Sequence, residues 1–114
     1  MSTENRLWPF AAVGAAGSVL CAAAAYAAAH QIEARVAIDN FVFERASTTV
    51  PIGTTVIWEN HDDIPHTIVA TLGEFHSQPL NTDDKFSFTF NAPGTFAYFC
   101  SLHPHMTGEV IVAR

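Results

Sequence analysis

After position 30, apolar residues recur with a period of two, and this pattern limits the possible folds more than any other feature of the chain. In residues 32–38 an apolar side chain occupies every second position, with Glu33 and Arg35 between them. Phe86, Phe88 and Phe90 repeat the pattern. A period of two is typical of a half-buried strand. Because no comparable stretch has the period of 3.6 of an amphipathic helix, we expect strands and no long helix.

Turn sequences separate the other predicted strands. Asn91-Ala92-Pro93-Gly94 and Val50-Pro51-Ile52-Gly53 are typical of turns, and residues 72–84 have neither apolar period and are expected to form a loop. Further strands are predicted at 41–43, 54–58, 66–70, 95–100 and 108–112. Short strands at regular spacing predict an all-β fold, namely an antiparallel Greek-key β-sandwich or small barrel.

The first 29 residues are predicted to be a secretory signal peptide. Arg6 precedes an alanine-rich apolar run from Phe10 to Ala29, and small residues in an Ala-x-Ala pattern end that run. We expect cleavage after Ala29, or alternatively after Ala27, which would leave 30–114 as one domain exported to the periplasm. The alternative is an uncleaved membrane anchor, since about 20 apolar residues can span a bilayer.

The charge balance excludes one large class of partner. The chain has 5 Lys and Arg against 11 Asp and Glu, a formal net charge of -6, and no basic cluster. Nucleic-acid binding is therefore not expected, because phosphate contacts come mainly from basic side chains.

Serine-hydrolase, Walker and zinc-hydrolase motifs are absent after position 30, and the predicted domain is too short to hold a second copper centre between domains. We therefore expect no enzyme activity.

Cys100, His103 and Met106 stand at spacings of three between two predicted strands. Cys21 lies in the predicted leader, so Cys100 would be a single thiol in an oxidising compartment. Thiolate and thioether ligands select copper, and imidazole also binds it. His66 is the candidate for a second imidazole. Two His, one Cys and a weak axial Met form the ligand set of blue-copper electron-transfer sites.

Each of these residues alone has a plainer interpretation. A lone Cys is more often an inert buried thiol, a lone Met fills a core, and a His on a loop is usually a surface residue. Their combination in an exported all-β chain favours the metal site. His61 and His76 are expected at the surface, and Asp62 and its neighbouring acids are expected in solvated loops.

The sequence resembles the cupredoxin family, and within it the amicyanins more than the plastocyanins or pseudoazurins, whose ligand loops are longer. Besides Cys100-x-x-His103-x-x-Met106, the resemblance rests on Trp58-x-Asn60 followed by His66, Leu72-Gly73-Glu74, Ala92-Pro93-Gly94-Thr95 and Gly108-x-Val110. It implies one type 1 copper, with His66, Cys100 and His103 in the plane and Met106 axial.

The resemblance also implies roles around the metal. The backbone N–H of Thr67 would donate to the thiolate, and the Asn60 side chain would tie the two ligand loops together. Electrons would leave through His103, past a small apolar docking rim for which Leu102, Pro104 and Phe75 are candidates. The sequence departs from the amicyanin pattern at Thr67 and at His105, which we expect to face solvent.

The resemblance implies a monomeric electron carrier that meets redox proteins transiently. A dehydrogenase would be the electron donor, a c-type cytochrome could serve on either side, and a membrane would be involved only if the leader were kept. The alternative is a periplasmic copper-binding or chaperone protein without an electron-transfer role. Such a protein would tend to have Met-rich or His-rich clusters, and Met106 is the only methionine after the initiator.

Overall fold

The structure is a computed structural model that describes residues 32–114. The predicted leader, its two cleavage sites and the boundary at residue 30 lie outside the described residues and stay predictions. Within 32–114, no helix has the length and apolar character needed to cross a bilayer.

Residues 32–114 form eight strands and no helix. The strands are β1 (Glu33–Asp39), β2 (Val42–Phe43), β3 (Ser47–Pro51), β4 (Thr54–Asn60), β5 (Val69–Ala70), β6 (Lys85–Phe90), β7 (Gly94–Phe99) and β8 (Thr107–Ala113). They lie in two four-stranded sheets, with the orders β2-β1-β4-β6 and β3-β8-β7-β5. The prediction of an all-β sandwich is confirmed.

Both sheets are mixed, which differs from the purely antiparallel arrangement expected. β1 pairs parallel with β4, and β3 pairs parallel with β8, whereas the other pairs are antiparallel. The reason is the crossover of the chain: after the β1–β2 hairpin it enters the second sheet as β3 and returns to lie beside β1 as β4. A strand that returns in this way runs in the same direction as its neighbour.

The core lies between the two sheets and is rich in aromatic residues. Trp58 of β4 and Tyr98 of β7 are both buried, and their rings meet edge to face with centroids 5.4 Å apart. Phe75, from the loop between β5 and β6, packs against Trp58 with centroids 5.7 Å apart. Edge-to-face and tilted contacts of this kind are the preferred geometries of aromatic pairs. One core cluster thus joins both sheets and the long loop.

The sequence pattern missed β3 and overestimated the strand after His66. Val50 and Pro51 end strand β3, and the predicted turn follows them at Ile52-Gly53. Thr48 and Val50 point into the core on one face of that strand. Thr48 was hard to recognise as a core residue because its hydroxyl is polar; it donates to the carbonyl of Arg45 over 3.2 Å. His66 takes part only in an isolated bridge with Leu80, and regular pairing is confined to Val69–Ala70.

The predicted loop 72–84 contains no strand, but it is held firmly against the His66 segment. Backbone bonds of 3.1 and 2.7 Å join His66 and Leu80 in both directions. The buried Ser77 hydroxyl accepts from the backbone N–H of Ile68 over 2.9 Å. This loop therefore fixes the backbone that carries one of the predicted metal ligands.

Candidate metal centre

The loop that joins β7 to β8 carries three of the four predicted ligands. Cys100 directly follows β7, and Met106 directly precedes β8. Three backbone hydrogen bonds close the loop: Cys100 N–H to the Met106 carbonyl over 3.1 Å, His103 N–H to the Cys100 carbonyl over 3.2 Å, and Met106 N–H to the His103 carbonyl over 2.9 Å. This tight ring of bonds leaves the ligand side chains little freedom.

His66 meets this loop from the other side of the site. Its Nδ1 lies 3.7 Å from Cys100 Sγ, and the Nδ1 of His103 lies at the same distance. The ligand atoms of these three residues all lie within 4.8 Å of one another. His66 and Cys100 are fully buried, His103 is half-buried and Met106 is 2% exposed beside them. The structure thus brings all four predicted ligands together.

This donor set has the chemistry that copper requires. A thiolate and two imidazoles converge on a small buried space, with a thioether close by, and this combination of soft and borderline ligands selects copper over hard cations. In both histidines it is Nδ1 that faces the sulfur, so Nε2 is free to make a second contact. A hydrogen bond from that second nitrogen fixes the tautomer and the orientation of a ligand ring.

Thr67 makes the contacts with the thiol that the resemblance implies, and one more. Its backbone N–H donates to Cys100 Sγ over 3.3 Å, and its hydroxyl lies 3.7 Å from the same sulfur. The hydroxyl oxygen also accepts from the backbone N–H of Ser101 over 2.7 Å and lies 2.8 Å from the Ser101 hydroxyl. Thr67 therefore ties the His66 segment to the loop that carries Cys100.

Asn60 has a different role from the one expected. Its buried amide donates to the carbonyls of Ile64 and Leu80, both over 2.9 Å, and its oxygen accepts from the backbone N–H of Asp62 over 2.9 Å. It thus organises the loop before His66 and ties it to the 72–84 loop. The link between the two ligand loops is made by Thr67 and Ser101.

Asp62 was expected in a solvated loop, and the structure corrects this. Its side chain is only 12% exposed, and its Oδ2 lies 2.7 Å from Nε2 of His66. Because an ionised carboxylate can only accept, Nε2 is the donor of this bond. Burial by itself raises the pKa of Asp62, but hydrogen bonds from the Phe41 backbone, the His66 ring and the Asn40 backbone, together with the charge of His66, bring that pKa below its usual value.

Phe41 is a second neighbour of the site that the sequence pattern did not indicate. Its ring meets His66 and His103 edge to face, with centroid distances of 5.4 and 5.1 Å. It lies on the turn between β1 and β2, 25 positions before His66 in the chain, so no local spacing reveals the contact. The sequence pattern placed Phe41 in a predicted strand at 41–43, whereas the structure begins β2 at Val42 and leaves Phe41 in the turn.

The candidate docking rim is partly changed by the structure. Leu102 is 50% exposed and Pro104 is exposed, as a rim requires, and both flank His103 in the chain. Phe75 is 5% exposed and packs in the aromatic core, so it cannot belong to the rim. His105 is exposed and lies outside the ligand cluster, as expected. His61 and His76 are exposed as well.

Comparison with known proteins agrees with this geometry. Residues 10–112 match the family defined by the cupredoxin-like domain. The chain therefore belongs to the cupredoxin-like family, and its cofactor is a single type 1 copper ion.

Several of the similar proteins are amicyanins. The chain is 33% identical over 117 residues to amicyanin-alpha of Methylorubrum extorquens, covering 94% of this chain and 98% of that protein. It is 34% identical over 82 residues to the amicyanin of Paracoccus versutus, covering 68% of this chain and 62% of that one. A purple cupredoxin from Nitrosopumilus maritimus has a similar structure, with a TM-score of 0.65, 35% identity and coverage of 70% and 99%. The resemblance seen in the sequence is confirmed.

Proposed function

We propose that the chain is a periplasmic electron carrier in which His66, Cys100, His103 and Met106 would hold the copper. The observation that supports this most directly is the convergence of a thiol and two imidazole nitrogens within 4.8 Å. The copper supplies a one-electron couple between Cu(II) and Cu(I). An electron carrier of this kind needs ligands that move little between the two states.

The protein meets that need with a rigid ligand set. Hydrogen bonds within the 100–106 loop fix Cys100 and Met106, and the bridge to Leu80 fixes the backbone of His66. The thiolate accepts from the backbone N–H of Thr67, which stabilises its charge. These contacts restrict the movement of the residues that would hold the copper.

His103 is the ligand best placed to pass the electron to a partner. His66 is fully buried, whereas His103 is half-buried beside the exposed Leu102 and Pro104. Phe41, 41% exposed and in contact with His103, takes the place in this apolar rim that Phe75 cannot fill. A small apolar contact around a ligand edge suits brief docking, as in weak electron-transfer complexes.

The partners we propose are redox proteins: a dehydrogenase as donor, and a c-type cytochrome on either side of the transfer. The signal peptide at 1–29, the exported domain 30–114 and a monomeric state belong to the same proposal. The net charge of -6 favours partners with a basic docking face, because opposite charges accelerate encounter.

The decisive experiment is visible absorption and electron paramagnetic resonance of the purified protein with one equivalent of Cu(II). We expect an intense blue or purple thiolate-to-copper band and narrow copper hyperfine splitting, both lost in Cys100→Ala. His105→Ala is the matched control, since this exposed histidine lies on the same loop and should leave both signals unchanged.

A pale complex with ordinary tetragonal signals would overturn the ligand assignment and favour the copper-handling alternative. Electron transfer is tested separately by stopped-flow oxidation of the Cu(I) protein with a c-type cytochrome. A blue protein that cannot be oxidised and reduced reversibly would retain the site but contradict the carrier function.

A further inference from the structure

The turn between β1 and β2 has an unusual residue at its second position. Asp39 pairs with Val42, so Asn40 and Phe41 form a two-residue hairpin loop. Their φ angles are 53° and 62°, both in the left-handed region. A hairpin turn with two positive φ angles favours Asn followed by Gly. Asn40 fits this preference, but a bulky side chain at Phe41 is a steric outlier, and such strain often accompanies function.

In this strained conformation, the Phe41 ring contacts both of the proposed histidine ligands. The ring is nearly perpendicular to the imidazoles of His66 and His103, at 85° and 89°. The two imidazoles themselves lie 5.0 Å apart. Since Phe41 is 41% exposed, its ring covers the ligand histidines from the solvent side. A glycine at this position would relieve the strain but would leave both rings without this contact.

The carboxylate of Asp62 holds the turn and one ligand together. Its Oδ1 accepts from the backbone N–H of Asn40 over 2.7 Å, and its Oδ2 accepts from that of Phe41 over 3.0 Å. The same Oδ2 accepts from Nε2 of His66 over 2.7 Å. Asp62 is anchored in turn by the Thr82 hydroxyl, which donates to its carbonyl over 2.7 Å. One carboxylate therefore accepts hydrogen bonds from the strained turn and also orients a ligand ring.

We propose that Phe41 and Asp62 form a clamp that positions the rings of His66 and His103 from outside and retains the metal between them. Asp62 fixes the rotation of the His66 ring through Nε2, and Phe41 blocks outward movement of both rings. Both are positioning residues, because neither belongs to the proposed ligand set. The inference rests on the ligand assignment in the proposed function, but its first test does not require copper.

The first test compares the metal-free full chain with Phe41→Gly by NMR at one fixed pH. We expect the ring protons of His66 and His103 to lose the shifts caused by the neighbouring aromatic ring, and the His103 signals to broaden through exchange between orientations. Arg45→Gly is the matched control, because Arg45 also has a left-handed φ of 67° and is exposed. Histidine signals in Phe41→Gly that match those of the unmodified chain would overturn the clamp.

The second test measures the loss of copper to a chelator from the loaded full chain. We expect Phe41→Gly to lose the metal about tenfold faster or more, since one aromatic contact with each of two ligands is removed. Phe41→Leu keeps an apolar side chain but not the aromatic edge, so an intermediate rate is expected. Asp62→Asn should also accelerate the loss, because one amide cannot accept from the turn and the ring as a carboxylate does.

The exposed neighbour Asp63 supplies the control for charge, and Asp63→Ala should lose copper at the unmodified rate. Unchanged rates in Phe41→Gly and Asp62→Asn would overturn the clamp even if the protein is blue. If the unmodified protein forms no thiolate-copper site at all, the proposed function fails, while the metal-free NMR comparison still decides whether Phe41 orders the two rings.

Discussion

Thr67 and Cys100 are joined twice: the backbone N–H of Thr67 lies 3.3 Å from Sγ, and its hydroxyl lies 3.7 Å from the same atom. Donors to a ligand thiolate stabilise its negative charge and weaken its donation to Cu(II). They therefore favour Cu(I) and raise the reduction potential. Substitution can separate the two donors, because the backbone N–H remains whatever side chain is present.

Thr67→Val should lower the reduction potential of the copper site. The variant loses the hydroxyl but keeps the backbone donor and the β-branched shape. A hydrogen bond worth about 0.5–1.5 kcal/mol corresponds to a decrease of about 20–60 mV for a one-electron couple. Cyclic voltammetry of both proteins measures this shift. Thr67→Ser keeps the hydroxyl and is the control; a potential in Thr67→Val that is unchanged or higher would contradict the role given to the hydroxyl.

Asn60→Ala should destabilise the metal-free protein by about 2–4 kcal/mol, because three backbone groups each lose a hydrogen bond to its side chain and an unpaired buried polar group is costly. Those groups are the carbonyls of Ile64 and Leu80 and the N–H of Asp62. Denaturant unfolding monitored by fluorescence gives the change in the free energy of unfolding. The exposed Asn91→Ala is the control, with a change expected within about 0.5 kcal/mol. Equal stabilities for the two variants would show that Asn60 is not a structural anchor.

The sequence was informative where function depends on local spacing, and less so where it depends on tertiary contacts. The period of two predicted β1 and β6, and the spacing of three located Cys100 and His103 on one loop. Strand β3 was missed because the polar Thr48 interrupts the apolar pattern. Its hydroxyl donates to a nearby backbone carbonyl, and this bond allows Thr48 to be buried in the core. Polarity alone placed Asp62 in solvent, whereas its burial depends on a hairpin more than 20 positions earlier in the chain.

Phe75 illustrates the opposite error. An aromatic residue in a loop near the ligands was a reasonable candidate for a surface rim, because such rims are apolar. The structure turns it inward onto Trp58 and Phe88, at centroid distances of 5.7 and 4.9 Å. Nothing in the loop sequence distinguishes an aromatic residue that closes the core from one that faces a partner.

Gly108→Ala should destabilise the protein through a clash with Tyr98. The two residues face each other across β7 and β8, and a Cβ at position 108 would lie 2.5 Å from both Cζ and Oη of Tyr98. Glycine in a strand often marks the close approach of another group. We expect a loss of about 1–3 kcal/mol in the free energy of unfolding, the usual cost of overpacking.

A double-mutant cycle distinguishes this clash from a general effect of glycine in a strand. In a Tyr98→Leu background the tyrosine ring is absent, so Gly108→Ala should cost much less than in the unmodified protein. If the cost is the same in both backgrounds, the tyrosine ring is not the reason for glycine at position 108.

The free energy of unfolding should decrease at alkaline pH because of the ionisation of Tyr98. Burial raises the pKa of Tyr98 from 10.0 to about 12, against a smaller lowering by the Trp58 side chain. In the unfolded chain this phenol ionises near pH 10, whereas the folded protein keeps it neutral up to about pH 12. The contribution of the neutral phenol to the free energy of unfolding is therefore fully present below pH 10. It is lost as the pH rises to about 12, a total of about 2–3 kcal/mol.

Tyr98→Phe isolates this contribution, because it removes the titrating hydroxyl and keeps the ring. That hydroxyl is buried and has no hydrogen-bond partner of normal geometry within residues 32–114, so below pH 10 the variant should be about as stable as the unmodified protein. Between pH 10 and 12 the unmodified protein should lose stability relative to the variant. Denaturant unfolding at intervals of half a pH unit measures the difference. Parallel curves throughout this range would show that Tyr98 ionises as readily in the folded protein as in the unfolded chain.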